Sequence, residues 1–360
     1  MIEQQSINYQ PYSVDMSQGG NNNEVTVENN AAIAPDGTMS ASKITGGTNQ
    51  STSQRLGWGT QSVPNSSYTM WSIWLKSEET SCIIQIYSNK YTIGADHLNV
   101  ELADGTTGGH NNNDGTFRYN LEKYPNKWWR LSWGGNGNAS GNAGGMYVAV
   151  VPAMNSTRAA NTGAAHSKVW YAWGLQEEVG TQTKFATSYI PTNGASVTRG
   201  LDITTIDGDE FTEFYNDDEW TMVTHTNVDN YQSLVASPSE ANSINFQGDN
   251  NTKKFNTRYV TSSTDNQGYV DVIGNMSGTS YFDLVGATVG TYNVKTAFAA
   301  KVNDVAASFN GGTVQTDTSV TMLEGGSIMN IGQNPKQFHI KRIMYYPKRL
   351  PNSQLVTLTS

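Results

Sequence analysis

Cleaving a glycosidic bond requires two carboxyl groups held at a controlled separation. On a strand, the run E-x-D-x-E achieves this by placing carboxylates at i, i+2 and i+4 on one face. This chain has no such run: Asp207 and Asp209 are followed by Phe211, and Asp217-Asp218-Glu219 reads as a contiguous turn. The five histidines, His97, His110, His166, His225 and His339, include no pair at helical metal spacing. There is no G-x-S-x-G elbow and no phosphate-cradling loop; Gly108-Gly109-His110-Asn111 reads as an exposed turn. The expectation is a protein that is not an enzyme.

Two groups of residues could bind rather than react. Trp129, Leu131 and Trp133 alternate with Trp128, Arg130 and Ser132, so the first set faces a core and Trp128 and Arg130 face away. Gln85 and Tyr87 are placed on the same outer face from a neighbouring strand. Together, Trp128, Arg130, Tyr87 and Gln85 are the carbohydrate or interface candidates. Sugar C–H faces stack on aromatic rings, and amides and guanidinium groups hydrogen-bond hydroxyls. Three covers suit Trp128: a glycan, a neighbouring subunit, or a loop such as Gly134 to Gly145. Asp36, Asp114 and Asp202 are candidate ligands for a structural calcium, which prefers oxygen donors; the alternative is that they are ordinary turn residues.

These residues must be carried by strands. The 360 residues suffice for two domains with separate cores. Charged residues are few, at 15%, and short aromatic runs are separated by Asn- and Gly-rich turns, which favours all-β sandwiches. Strand periodicity is clear at Thr69 to Leu75, Cys82 to Tyr87, Lys127 to Trp133 and Met146 to Val151. Asp104 to Gly115 and Gly134 to Gly145 read as long loops. From Val169, the alternation sets Tyr171, Trp173 and Leu175 on one face and Trp170, Ala172, Gly174 and Gln176 on the other, and the strand stops at Glu177-Glu178. An aromatic loop with Phe185, Tyr189, Ile190 and Pro191 follows, then a Thr192-Asn193-Gly194 turn. Further strands are predicted from Glu219 through Tyr346, with one or two helical turns between Leu350 and Leu358.

The net charge of −9 argues against wrapping a nucleic-acid backbone. Cys82 is the only cysteine, which excludes an intrachain disulfide and suits a buried small hydrophobe. No basic-then-apolar leader opens the chain and no apolar run reaches about 18 residues, so a cytoplasmic origin without membrane insertion is expected.

Two resemblances accompany these patterns. Trp173-Gly174-x-Gln176-x-Glu178, then Ser188-Tyr189-Ile190-Pro191-Thr192-x-Gly194 and Thr198-Arg199-x-x-Asp202, resembles a module of tailed-bacteriophage virion proteins, marine ones especially. The turn Ala34-Pro35-Asp36-Gly37-Thr38 followed by Ala41-x-Lys43-Ile44 also recurs there. In such proteins the segment closes a carbohydrate-binding-module-like jelly roll. Downstream, Ala299-x-x-x-Asn303-x-x-x-Ala307-Ser308-x-Asn310-Gly311-Gly312, then Ile331-Gly332, then His339-Ile340-Lys341-Arg342-Ile343-x-Tyr345-Tyr346-Pro347-x-Arg349-Leu350-x-x-x-Gln354-Leu355, is similar to the end of a laminin-G or concanavalin-A-like lectin domain. The resemblances imply a jelly roll over residues 1–200 and a lectin-like sandwich over 201–360. They imply a non-enzymatic virion structural protein: a head or tail fibre, decoration or attachment protein. Its partners would be its own copies, expected as a trimer, other virion proteins and host surface glycans. The alternative is a polysaccharide-active enzyme or a secreted bacterial lectin.

Overall fold

The computed structural model describes residues 3, 5–59, 68–88, 97–111, 117–136, 145–179, 186–202, 204–227, 240–248, 253–261, 268–276, 279–288, 293–322, 325–332 and 339–360. The chain forms two compact units, Ser6–Arg199 and Gly200–Ser360, the latter taking in Glu3 from the start of the chain. Glu3 goes there because its N–H donates to Asp202 Oδ2 at 3.0 Å and the Asp202 N–H donates to its carbonyl at 3.0 Å. Both units are tandem antiparallel β-sandwiches.

The first unit contains β1 (Ser6–Asn8), β2 (Val25–Ala32), β3 (Ala41–Gly46), β4 (Arg55–Trp58), β5 (Tyr68–Lys76), β6 (Ile83–Ser88), β7 (His97–Glu101), β8 (Thr107–Asn111), β9 (Arg118–Lys123), β10 (Trp129–Asn136), β11 (Met146–Val150), β12 (Val169–Val179) and β13 (Val197–Arg199). One sheet runs β2-β3-β12-β5-β10-β9 and the other β4-β11-β6-β7-β8. A third, two-stranded pairing joins Ser6 to Arg199 and Asn8 to Val197, pinning the two ends of this unit together. Between the large sheets lie Trp71, Ile73, Leu75, Leu131, Trp133 and Trp170 from one side and Ile84, Ile86, Leu98, Val100, Val148 and Val150 from the other. The period-2 pattern of each strand dictates this, since alternate side chains leave opposite faces. Cys82 lies buried at the edge of the same core, and burial pushes its thiol up to about 12.

Two expectations are corrected. The stretch Asp104 to Gly115 is not all loop: β8 adds to the sheet edge by pairing with β7. And β12 does not alternate evenly. The register slips by one residue between Trp173↔Trp74 and Gln176↔Ser72, with Gly174 at φ +69°. This bulge reverses the phase of the strand. Leu175 therefore joins Trp170 and Ala172 in the core, while Gln176 leaves by the same face as Trp173.

The second unit contains β14 (Thr204–Asp207), α1 (Gly208–Thr212), β15 (Glu219–Asn227), β16 (Glu240–Gly248), β17 (Lys253–Thr261), β18 (Gly268–Met276), β19 (Thr279–Thr288), β20 (Asn293–Lys301), β21 (Val305–Phe309), β22 (Gln315–Asp317), β23 (Gly326–Ile331), β24 (His339–Tyr346) and α2 (Asn352–Thr359). Its sheets run β14-β23-β16-β17-β18-β19 and β22-β21-β20-β15-β24. Phe211, Trp220, Phe246, Phe255, Phe282 and Phe298 form an aromatic core between them. Helix α2 covers the outer face of the five-stranded sheet, setting Leu355 against Val223, Ala297 and Ala306.

Candidate functional site

Alternation places Trp128 and Arg130 opposite Trp129, Leu131 and Trp133, yet neither is available to solvent. Trp128 is 1% exposed and Arg130 7%. The indole N–H of Trp128 donates to the Ile33 carbonyl at 3.3 Å, so the segment leading into the Ala34–Thr38 turn is the cover. Arg130 lies with its guanidinium carbon 4.4 Å from the ring centre of Trp74, and its Nη2 donates to the Thr187 carbonyl at 2.6 Å. Trp74 in turn meets Tyr124, Trp173 and Tyr189 edge-on at 5.8, 5.1 and 5.6 Å. These groups form a second, smaller core outside the six-stranded sheet. The expected common face with Gln85 and Tyr87 does not exist. Those residues belong to β6, in the other sheet, and point out of the opposite side of the sandwich. Gln85 is fully buried: its Nε2 donates to Asn99 Oδ1 and the Thr157 carbonyl, and its Oε1 accepts from the Ala159 N–H. Its work is to hold a loop. Tyr87 stacks on Tyr147 with ring centres 4.8 Å apart.

The bulge explains the most specific motif of the sequence. It turns Trp173, Gln176 and Glu178 onto one face, and together they hold the segment 187–192. Gln176 Oε1 accepts from the Ile190 N–H at 2.8 Å. Glu178 accepts from the Thr187 N–H at 3.0 Å, from the Thr187 hydroxyl at 2.6 Å and from the Ser6 hydroxyl. Tyr189 tilts against Trp173 at 4.5 Å and bonds Ser13 through its hydroxyl at 2.6 Å; burial pushes that phenol up to about 12. Asn8 Nδ2 donates to the carbonyls of Leu175 and Ile190. The motif residues are thus a latch that closes the sandwich.

Beside Trp128 the surface opens into a cavity of about 500 Å³ lined by Ile33, Lys76, Glu78, Asn126 and Lys127. Lys76 enters along the β5 strand, and its ammonium lies 5.8 Å from the Trp128 ring centre and 5.5 Å from that of Tyr171. Glu78 bridges Lys76 at 2.7 Å and Lys127 at 2.8 Å, and those two bonds hold its carboxyl below its ordinary range. Asn126 and Lys127 both take left-handed backbone, φ +59° and +65°, which turns β9 into β10 and presents Lys127 at the rim. Positive φ at both central residues is what a two-residue hairpin turn requires, and the Trp128 N–H closes this one on the Pro125 carbonyl at 3.4 Å. Ile33, 47% exposed, is the apolar wall. An apolar wall with a few convergent polar groups is the composition of a small-ligand site. The sequence hid it because its five residues come from three separate segments.

The carboxylates elsewhere serve the fold. Glu177 accepts from Gln10 Nε2 at 2.8 Å. In the second unit, fully buried Asp271 takes two bonds from Arg258, at 2.8 and 2.6 Å, and Asp283 stands 3.7 Å from the same guanidinium. Burial raises the Asp271 carboxyl to about 6 against the pull of Arg258. Asp271 is closed to any substrate by its arginine. Of the calcium candidates, Asp36 accepts from the Thr38 N–H and hydroxyl within its own turn, Asp202 accepts from Glu3, and Asp114 lies outside the described residues, as does Phe185 of the aromatic loop. Among the described residues, no three His, Cys, Asp or Glu side chains gather as a metal site.

The sequence matches no protein-family model and no curated protein. Among solved structures, it is similar to the CBM40 domain of the Ruminococcus gnavus IT-sialidase bound to α2,3-sialyllactose, at 14% identity over 40% of this chain and 84% of that one, TM-score 0.32. It is similar to CG-16, a homodimeric agglutinin from chicken liver, at 8% identity over 40% and 100%, TM-score 0.27. It is similar to domains LG4-5 of the mouse laminin α1 chain at 9% identity over 84% and 92%, TM-score 0.22. Likeness at these scores carries no argument about this chain, whose architecture rests on its own strands and pairings.

Proposed function

We propose that this chain is a non-enzymatic adhesion and assembly protein of a tailed-phage virion, and that the cavity beside Trp128 is where it takes a host glycan. The observation that carries the glycan reading is that cavity. Its volume falls within the range of small-ligand pockets, about 300–1,000 Å³. Ile33 offers an apolar wall, and Lys76, Lys127, Glu78 and Asn126 offer both donors and acceptors to hydroxyl groups. The virion reading is supported by the motif resemblance, whose residues meet as a single latch. The non-enzymatic reading is supported by what Glu177, Glu178 and Asp271 do: each is spent on holding the chain itself. Within this reading the chain works as a homo-oligomer, a trimer, alongside other virion proteins.

A glycan array with the full chain tests adhesion. Binding that falls about tenfold in Lys127→Ala and in Glu78→Gln, with unchanged thermal unfolding, is the expected result. Release of reducing sugar by the protein, abolished by Asp283→Asn, would move the reading to a polysaccharide-active enzyme. Mass spectrometry of purified particles and a particle map test the virion role, and a monomeric mass at micromolar concentration would sink the trimer.

A further inference from the structure

The charges around the cavity beside Trp128 do not balance. Lys76 and Lys127 both reach Glu78, at 2.7 and 2.8 Å, so one carboxylate is divided between two ammonium groups. Each ammonium has three N–H donors, and the carboxylate occupies only part of that set. Ile33 and Asn126, the other lining residues, carry no charge, which leaves the lining with one positive charge over. The next carboxylate along the chain does not make up the difference. Glu79 is committed to Lys168 at 2.6 Å and accepts from the Val169 N–H at 2.7 Å.

The two lysines are held differently. The Lys76 side chain is 15% exposed and that of Lys127 63%. The Lys76 ammonium is seated over the rings of Trp128 and Tyr171, and strand pairing builds that seat by setting Tyr171 opposite Lys76. A neutral hydroxyl bonded to this ammonium leaves the surplus charge in place, whereas an anion cancels it. That difference is larger where water is mostly excluded, as at Lys76, than at the solvated Lys127, whose pull salt screens. We infer that Lys76 is the specificity-determining residue of the cavity and selects glycans that carry an acidic group, a carboxylate or a sulfate ester, set against its ammonium. This rests on the reading of the cavity as a glycan site and adds the class of glycan.

Calorimetric titration of the full chain with methyl galactoside, methyl galacturonide and methyl galactoside 6-sulfate tests it, since the three share a ring and differ only at C6. The expected result is that an acidic sugar binds about tenfold tighter than the neutral one at low salt, and that added salt narrows the gap. Lys76→Met keeps an apolar stem against the rings and should bind acidic and neutral sugars alike. Lys76→Arg should retain the preference because the charge survives. Thermal unfolding of both variants separates loss of selection from loss of fold, and the preference of the unaltered chain decides the matter where Lys76→Met does not fold. Equal binding of acidic and neutral sugars by the unaltered chain, or a preference that persists in folded Lys76→Met, overturns the inference and leaves the glycan reading of the cavity in place. Displacement of the acidic sugar by inorganic sulfate at equal concentration reduces the cavity to an anion site and overturns both. Binding of none of the three at millimolar concentration also overturns the inference; a positive glycan array then keeps the glycan reading and a blank one removes it.

Discussion

Replacing Gly174 by alanine tests the bulge on which the first domain depends. Gly174 sits at φ +69°, and an added Cβ would lie 2.6 Å from Trp74 Cε3 and 2.8 Å from Cζ3. The backbone strain alone is about 1–2 kcal/mol for a residue with a Cβ. Trp74 has little room to yield, being 4% exposed and gripped by Arg130, Trp173, Tyr124 and Tyr189. Forcing extra volume into such packing costs about 1–3 kcal/mol more. The sum is about 2–5 kcal/mol, which for a domain of this size lowers its melting temperature by about 5–15 °C. Differential scanning calorimetry of the full chain reads it, with Gly20→Ala as the control. Gly20 lies in the same domain, has nothing within 4 Å of its would-be Cβ and takes no left-handed φ, so that change stays within about 0.5 kcal/mol. If Gly174→Ala melts within a degree or two of Gly20→Ala, β12 has no obligatory bulge. The latch built on Gln176 and Glu178 then has to be redrawn.

Other changes have definite expected outcomes. Trp128→Ala empties a packed site under Ile33 and should destabilise the domain by about 3–5 kcal/mol, as Trp129→Ala should; a neutral Trp128→Ala in urea unfolding would show that its cover is loose. Glu178→Ala removes the acceptor of the Thr187 N–H and of the Ser6 hydroxyl and should cost about 3 kcal/mol, with earlier chymotryptic cleavage after Tyr189 as the visible sign; unchanged cleavage would remove it from the latch. Asp271 holds its proton more tightly folded, at about 6, than its ordinary 3.8. Between those values the native state binds more protons than the unfolded one, so stability of the second domain falls by up to about 3 kcal/mol as pH rises from about 4 to 6, then levels off. Asp271→Asn should flatten that step in denaturant midpoints measured across the range, and a step that persists must come from other groups.

The sequence by itself determined the strands and what faces the core. Trp71, Ile73 and Leu75, like Trp129, Leu131 and Trp133, lie inside because a period of two admits only two faces and the larger apolar set takes the dry one. It also pointed to residues 169–202 as the closing element, since motif and alternation coincide there. What lay beyond it was what covers the second face. Trp128 and Arg130 read as outward and are buried, because segments 33–38 and 187–192 return over the sheet from about 95 and 57 residues away in the chain. Alternation also failed at one residue: Gly174 adds a position to β12, and nothing in a period-2 count shows that Leu175 goes in and Gln176 out. Tyr87 and Trp128 share a pattern but not a sheet. Strand order decides that, and strand order is set by long-range pairing energies rather than by any local run of residues. The lining of the cavity beside Trp128 is legible only in the tertiary structure for the same reason. Its residues are brought together from separate segments, where proximity depends on register and carries no signature in sequence spacing.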